Sequence, residues 1–421
     1  MSSLIGDAGA VVFFILILVS VSLHEIGHFV PAKIFKIRVL QYFVGFGKTL
    51  WSVTKGGTQY GVKLIPLGGY VRLLGMYPPP HPGRDTWLKR LADDARDAEW
   101  DSITPDDVGQ RVLFYQHPVW QRIIVMVSGV AMNTLIAYGL FLGVNLAHGQ
   151  EVRGDPIVGR VIACVDETAQ VCQPTPAARA GLEADDWIVA VNGVETATWS
   201  EMTAAVRDNG SGRLTLTIER DGTRIDLPAV DGAVATVADP ADPGSTIEAG
   251  FLGVTEGHVL LHPGPIATAR QMGTMVIDAA EALIRLPVSA VTMIVDVIRG
   301  EERDPSGPIS VIGASMIAGE VAEADVDLGD KIALYATLLA SLNLFVAVMN
   351  LLPFPPFDGG HIVAALWEKI RQGIARARGR VDHRPVDPAY LLPVAYIVWG
   401  VIALLGAIII VADIVSPVSL F

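Results

Sequence analysis

His24 and His28 stand four residues apart in the string His24-Glu25-Ile26-Gly27-His28. On a helix that spacing puts both imidazoles on one face, where two ring nitrogens can bind one divalent ion. Glu25 then lies beside the pair, placed to take a proton from a water activated there. The chemistry expected is hydrolysis at a single Zn²⁺ per chain, with His24 and His28 as ligands and Glu25 as general base. Catalytic zinc needs a third protein ligand and an open position. The chain has only two cysteines, Cys164 and Cys172, so no cysteine-built zinc ribbon is available and a metal site must use His and carboxylates. Asp358, in Asn350-Leu351-Leu352-Pro353-Phe354-Pro355-Pro356-Phe357-Asp358-Gly359-Gly360-His361, is the third ligand expected, with His361 its rival. Asn350 could donate its amide to a carbonyl oxygen as negative charge develops; the plainer role is an interhelical hydrogen bond of roughly 1 kcal/mol. Asn133 has the same plain role and is read as packing.

The elements that position these residues are membrane spans. Of 421 residues, 51% are hydrophobic and mean hydropathy is +0.44, too apolar for an ordinary soluble chain. The net charge of −13 argues against nucleic acid as a partner. A bilayer core needs roughly 20 apolar residues as helix, and four stretches qualify, within 1–32, 121–148, 331–364 and 389–415. Residues 1–10 hold no Lys or Arg and no clear cleavage site follows, so the first stretch reads as a retained span rather than a signal peptide. The first and third lead into ionisable residues, which are costly in lipid and usually functional. Pro353, Pro355 and Pro356 must break the third helix, and broken backbone at that depth is tolerated only around protein or a water-filled cavity. Residues 261–330 read as an amphipathic linker at the membrane surface, because Asp278, Glu281, Arg285 and Asp296 interrupt the apolar run from Met272 to Ile298.

Charge sets the expected orientation. Lys369, Arg371, Arg376, Arg378, Arg380 and Arg384 make 365–388 a basic cytoplasmic loop, and 33–120 falls on the same side. The block 150–260 is acidic, holds no lysine and is placed outside the plasma membrane. There a Cys164–Cys172 disulfide could persist, the alternative being two small hydrophobes. Alternating stretches such as Asp186–Val191 before Asn192-Gly193 read as strands, and Asp231–Gly250 reads as a mobile loop.

Four motifs, HEIGH at 24–28, IPLGGYV at 65–71, GVAMN at 129–133 and NLLPFPPFDGG at 350–360, resemble the site-2 protease family of intramembrane zinc metalloproteases. The likeness spans nearly the whole chain. FVGFGKTLWS at 43–52 and RDPSGPISVIGAS at 303–315 bring it nearest the actinobacterial, PDZ-containing branch. The resemblance implies an α-helical membrane protein with four transmembrane helices, a membrane re-entrant β element at 58–76 and an extracytoplasmic α+β PDZ domain. It implies zinc at His24, His28 and Asp358, base function at Glu25 and substrate contact at Asn350. It also implies that Gly68, Gly69 and Tyr70 lie on a sheet edge that pairs with an unwound substrate segment. The implied substrates are single-span membrane proteins such as anti-sigma factors, with remnant signal peptides as a second class. The PDZ module, with Gly250–Val254 as its peptide loop, would take peptide C-termini or substrate ectodomains, or act as a size filter. One departure concerns local backbone: Val130 stands where the family commonly has Pro.

A rival function is a non-proteolytic membrane adaptor whose PDZ module is presented beside a structural zinc. That closed site would need His361 as a fourth ligand and would have no use for Glu25. A metal transporter would need polar residues through several spans, and the second and fourth offer few.

Overall fold

The computed structural model describes residues 2–79, 86–152, 154–165, 172–238, 246–257, 259–299, 307–380 and 384–417. They form two compact units, one of 1–144 with 264–421, the other of 145–263. The first unit opens on α1 (Ser2–Ile34), whose unbroken apolar run carries His24, Glu25 and His28. Lys36, in left-handed backbone, turns the chain into β1 (Val39–Lys55) and β2 (Thr58–Leu73). The β element is thus larger than the stretch 58–76 expected from sequence. Gly45 and Gly47, both at positive φ, interrupt the alternation that would have revealed its first strand.

Each of these strands bends and supplies two legs to one mixed sheet, in which 41–44 runs alongside 59–62 in the same direction and the other neighbouring legs are antiparallel. Residues 41–44 pair with 59–62 on one side and with 69–72 on the other, while 51–55 pairs back on 58–62. The order is therefore 51–55, 58–62, 41–44, 69–73, and the leg that carries Gly69 and Tyr70 is an edge among the described residues. Gly45 makes the bend: a Cβ there would lie 2.8 Å from the Ile65 carbonyl oxygen. The sheet is fastened to the end of α1. Lys33 Nζ donates to Thr58 Oγ1 at 2.6 Å, and that hydroxyl donates to the Val39 carbonyl at 2.7 Å.

Within 33–120, expected from charge to lie on the cytoplasmic side, are also α2 (Trp87–Trp100) and α3 (Pro105–Gly109), each started by a threonine side-chain cap. Next comes α4 (Val119–Ala147).

The second unit holds β3 (Gln150–Val152), β4 (Val158–Val161), α5 (Pro176–Ala180), β5 (Trp187–Val191), β6 (Val194–Glu195) and α6 (Trp199–Asn209). It continues with β7 (Arg213–Leu214), β8 (Leu216–Arg220), β9 (Thr223–Asp226), β10 (Val230–Asp231), β11 (Ala233–Ala238), β12 (Thr246–Phe251), β13 (Val254–Glu256) and β14 (Val259–Leu261). Its central sheet runs β6-β5-β8-β9. Ile188, Met202, Val206, Leu214 and Ile218 form its buried core. Asp186 and Glu183 bind Arg220 across the sheet end, and Cys164 is bonded to Cys172. The mobile loop expected over Asp231–Gly250 is corrected in part: β11 and β12 pair as a hairpin there, while 239–245 lie outside the described residues. The carbonyls of Leu252 and Gly253, in the peptide loop suggested by resemblance, already accept from Ala177 and Ile162.

The first unit resumes with α7 (Pro265–Arg299), α8 (Val311–Glu323), α9 (Leu328–Asn350), α10 (Asp358–Ala377) and α11 (Leu392–Val415). The span 261–330 is not the simple linker expected. Met272 of α7 is buried against α4 and α9, and Met293 against α11. Residues 303–306 of the motif there lie outside the described residues, but Val311–Glu323 is a helix in the bundle. Its Ala318 is buried with Phe13 and Ile17 of α1, and the Ser310 amide at its start donates to Asp413 of α11 at 2.8 Å. The basic loop expected over 365–388 is helical as far as Ala377. Among the described residues, four helices are long and apolar enough to cross a bilayer: Ile5–Ile34, Val119–Ala147, Leu328–Asn350 and Pro388–Val415.

Candidate metal centre

α9 stops at Asn350 because the prolines that follow cannot donate to a continuing helix. The chain reverses so tightly that a Cβ on Gly359 would meet the Leu351 and Leu352 carbonyls, and one on Gly360 would lie 2.6 Å from the Phe354 backbone. The two glycines are what let α10 start there, with Asp358 in its first turn. A carboxylate at a helix N-terminus sits in the favourable half of the helix dipole.

This turn delivers Asp358 to the histidine pair. Asp358 Oδ2 lies 3.6 Å from His24 Nε2 and 3.3 Å from His28 Nε2, and the two Nε2 atoms are 3.2 Å apart. Both imidazoles are buried. His28 Nδ1 sits 2.8 Å from the Val125 carbonyl oxygen. That oxygen can only accept, so Nδ1 carries the proton and the Nε2 lone pair faces inward. Three electron-rich atoms therefore converge, and neither His24 Nδ1 nor Asp358 Oδ2 has a partner in hydrogen-bonding geometry. With the His24 proton on Nδ1, all three atoms can face one cation, and such an ion would satisfy them together. The spacing fits one. Ligands bonded to zinc at roughly 2.0–2.1 Å in a tetrahedron stand about 3.3 Å from one another. His24, His28 and Asp358 are a group of His, Cys, Asp and Glu whose donor atoms could share one ion. His361 is not in that group; it lines a small cavity with Arg122 and Tyr115.

Glycines bring the elements into range. A Cβ on Gly27 would lie 2.5 Å from the Ser128 carbonyl oxygen, and one on Gly129 would strike His28 Nε2 and lie 2.9 Å from His24 Cε1. So α1 and α4 touch backbone to backbone at the centre. The sheet edge closes another side. A Cβ on Gly69 would stand 3.2 Å from Glu25 Cγ, which puts the general-base candidate against the edge leg. Gly68, at φ 133°, packs on the Phe46 ring, and Tyr70 stacks on Phe43 with its hydroxyl 3.3 Å from Gln41. Asn350 is partly buried at the end of α9. Asn133, read as packing, is 2% exposed, and its Oδ1 has no hydrogen-bond partner. Sequence reasoning missed Val125, which acts through a backbone carbonyl that any residue would carry, and Gly129 as the residue that admits the imidazoles. It also missed Asn343, whose amide donates to Ser20 at 3.1 Å and ties α9 to α1.

Apolar spans with a histidine–carboxylate centre at a proline-broken helix end define a metallopeptidase built into a membrane. The chain belongs to peptidase family M50, whose model matches residues 12–382. It is 35% identical to zinc metalloprotease Rip1 of Mycobacterium tuberculosis, over 98% of each chain. It is 36% identical to the Rip1 of Mycolicibacterium smegmatis, again over 98% of each. With the regulator of sigma-E protease RseP of Escherichia coli it shares 27% identity, over 86% of this chain and 90% of that one. It is thus a zinc metalloendopeptidase of the site-2 protease family and a helical membrane protein.

Proposed function

We propose that the chain cleaves single-span membrane proteins within the plasma membrane, in regulated intramembrane proteolysis, with one zinc held by His24, His28 and Asp358 and Glu25 as base. The observation that carries this reading is the convergence of His24, His28 and Asp358 ligand atoms at zinc-ligand spacing beside the Glu25 carboxylate. Bound zinc would polarise the scissile carbonyl and lower the pKa of a water. Glu25 takes the proton of that water and returns it to the leaving amine. A helical substrate hides its peptide bonds in its own hydrogen bonds. Laid as a strand on the Gly69–Leu73 edge, it exchanges those bonds for new ones and exposes one carbonyl beside Glu25. Asn350 is assigned a hydrogen bond to that substrate backbone. An apolar groove of about 360 Å³ between α4, α7 and α9, lined by Leu135, Met272, Leu344 and Leu351, suits the side chains of a membrane segment.

The strand pattern and the acidic composition of 145–263 support a PDZ module outside the membrane, and the arginines after Asp358 support a cytoplasmic α10. Anti-sigma factors are the substrates proposed, on the strength of the relative named regulator of sigma-E protease. Three protein ligands, with His361 outside their group, favour catalysis over the adaptor reading, whose fourth ligand would be His361. The test is Glu25→Gln, assayed on a tagged single-span substrate in proteoliposomes. Cleavage should fall by roughly 10²–10⁴-fold with zinc retained; undiminished cleavage removes Glu25 from its role.

A further inference from the structure

One face of α10 packs into the protein, and its other face is exposed. Glu368 is buried and accepts from Arg122 of α4 at 2.6 Å, and from the Val386 amide at 3.0 Å. On the opposite side Val363, Leu366, Trp367, Ile370 and Ile374 are 44–56% exposed. Their spacing of three and four residues draws one apolar stripe along the helix. Lys369 and Arg376 border the stripe on one flank, and Arg371 and Arg378 on the other, with Arg380 just beyond. No acidic residue lies between Glu368 and Val381, so in a chain of net charge −13 this helix end is a concentrated basic surface.

Two contacts set its level relative to the bilayer. Arg122 stands in the first turn of the span Val119–Ala147, and Val386 lies two residues before the span Pro388–Val415. Glu368 binds both, so the middle of α10 is held where two spans begin, at the membrane boundary. We propose that α10 is an interfacial helix whose apolar stripe enters the surrounding bilayer and whose bases engage anionic phospholipid headgroups. An apolar stripe edged by Lys and Arg, with no exposed acid, has the form of helices that lie in that plane, and long basic side chains reach from stripe to headgroup. The helix begins at Asp358, so the lipid surface becomes one of the supports of the metal centre. The inference does not depend on the protease reading, and its test uses no substrate.

The full chain, with a nitroxide on Ile374→Cys, is reconstituted in nanodiscs of phosphatidylcholine with and without phosphatidylglycerol. Cys164 and Cys172 are joined to each other, so the label is unique. Its access to oxygen, which concentrates in lipid, is compared with access to a water-soluble nickel chelate. The ratio should favour oxygen and at least double with phosphatidylglycerol. The combined Arg371→Gln, Arg376→Gln, Arg378→Gln, Arg380→Gln variant should lose that increment, and the corresponding Lys variant should keep it. A label open to nickel in both lipids overturns the proposal. So does a label shielded from both reagents, which would mean that protein covers the stripe; dipolar broadening would then identify a second copy. A ratio indifferent to phosphatidylglycerol overturns the role of the headgroups.

Discussion

Two buried clusters in the helical unit are both built of titratable side chains and differ in how those groups are paired. At the metal centre, His24, His28 and Asp358 point acceptors at one another, and atoms of His24 and Asp358 lack hydrogen-bond partners. In the lattice where α2 and α10 meet the ends of the spans, nearly every group is answered. Arg96 is 1% exposed and binds Asp93, Asp387 and the Pro78 carbonyl. The Glu99 carboxylate takes the amides of Gly75, Met76 and Tyr77 at 2.7, 2.8 and 3.0 Å. Arg122 meets Glu368. A lattice of paired charges holds the chain in register, whereas the converging ring nitrogens and carboxylate have the spacing that a shared cation would use. Burial of charge alone does not mark function; incomplete pairing of convergent groups does.

The comparison breaks most sharply at Gly129. Gly129→Ala alters no polar group, yet its methyl would enter the space of both imidazoles. Cleavage should drop by about 10²-fold or more, with zinc content falling in parallel. A variant with full activity would show that the imidazoles do not depend on that contact. In the lattice the expected loss is of stability. Arg122→Ala strands the Glu368 carboxylate and should cost about 3–5 kcal/mol, read as a lower midpoint of thermal unfolding in detergent. Arg122→Met with Glu368→Leu should recover most of that loss, since no charge is then left alone. If the single and double variants unfold alike, the pair is not what stabilises that corner.

Asp107 sharpens the same contrast through pH. Burial opposes its charge, but the Thr104 hydroxyl and amide and the Arg38 guanidinium outweigh burial and hold its carboxyl below the usual range. A depressed carboxyl stabilises the fold above its unfolded value, and that stability is lost as pH falls through the native value. Asp107→Asn should therefore flatten the acid end of the stability curve while lowering stability at neutral pH. An unchanged acid limb would mean that Asp107 is not among the groups that drive acid unfolding. The smallest effect belongs to the exposed pair of Arg224 and Glu195, 3.5 Å apart. Arg224→Ala should cost no more than about 1 kcal/mol by denaturant unfolding, and a larger loss would refute its reading as a solvated pair.

The parts of this molecule that sequence reveals are those whose physics is local. A run of apolar residues is long or it is not, so the four spanning helices stand out at once. His24 and His28 declare their common face by spacing, and Asp358 is conspicuous because three prolines and two glycines surround it. What escaped depends on contacts between distant segments. Val311–Glu323 is apolar on most sides but too short to span, and only Phe13, Ile17 and Asp413 explain its helix. The basic residues after Lys369 suggested a loop, because the stripe from Val363 to Ile374 matters only once Glu368 is seen to bury the opposite face. Gly129 stood only as one residue of the motif at 129–133 until the imidazoles were placed against it.

The most direct test is the zinc content of the purified full chain, wild type against Asp358→Ala, with Glu368→Ala as the carboxylate control from the lattice. The account predicts one zinc per wild-type chain, a large loss in Asp358→Ala and no loss in whatever folded Glu368→Ala is recovered. Equal zinc in wild type and Asp358→Ala would contradict it.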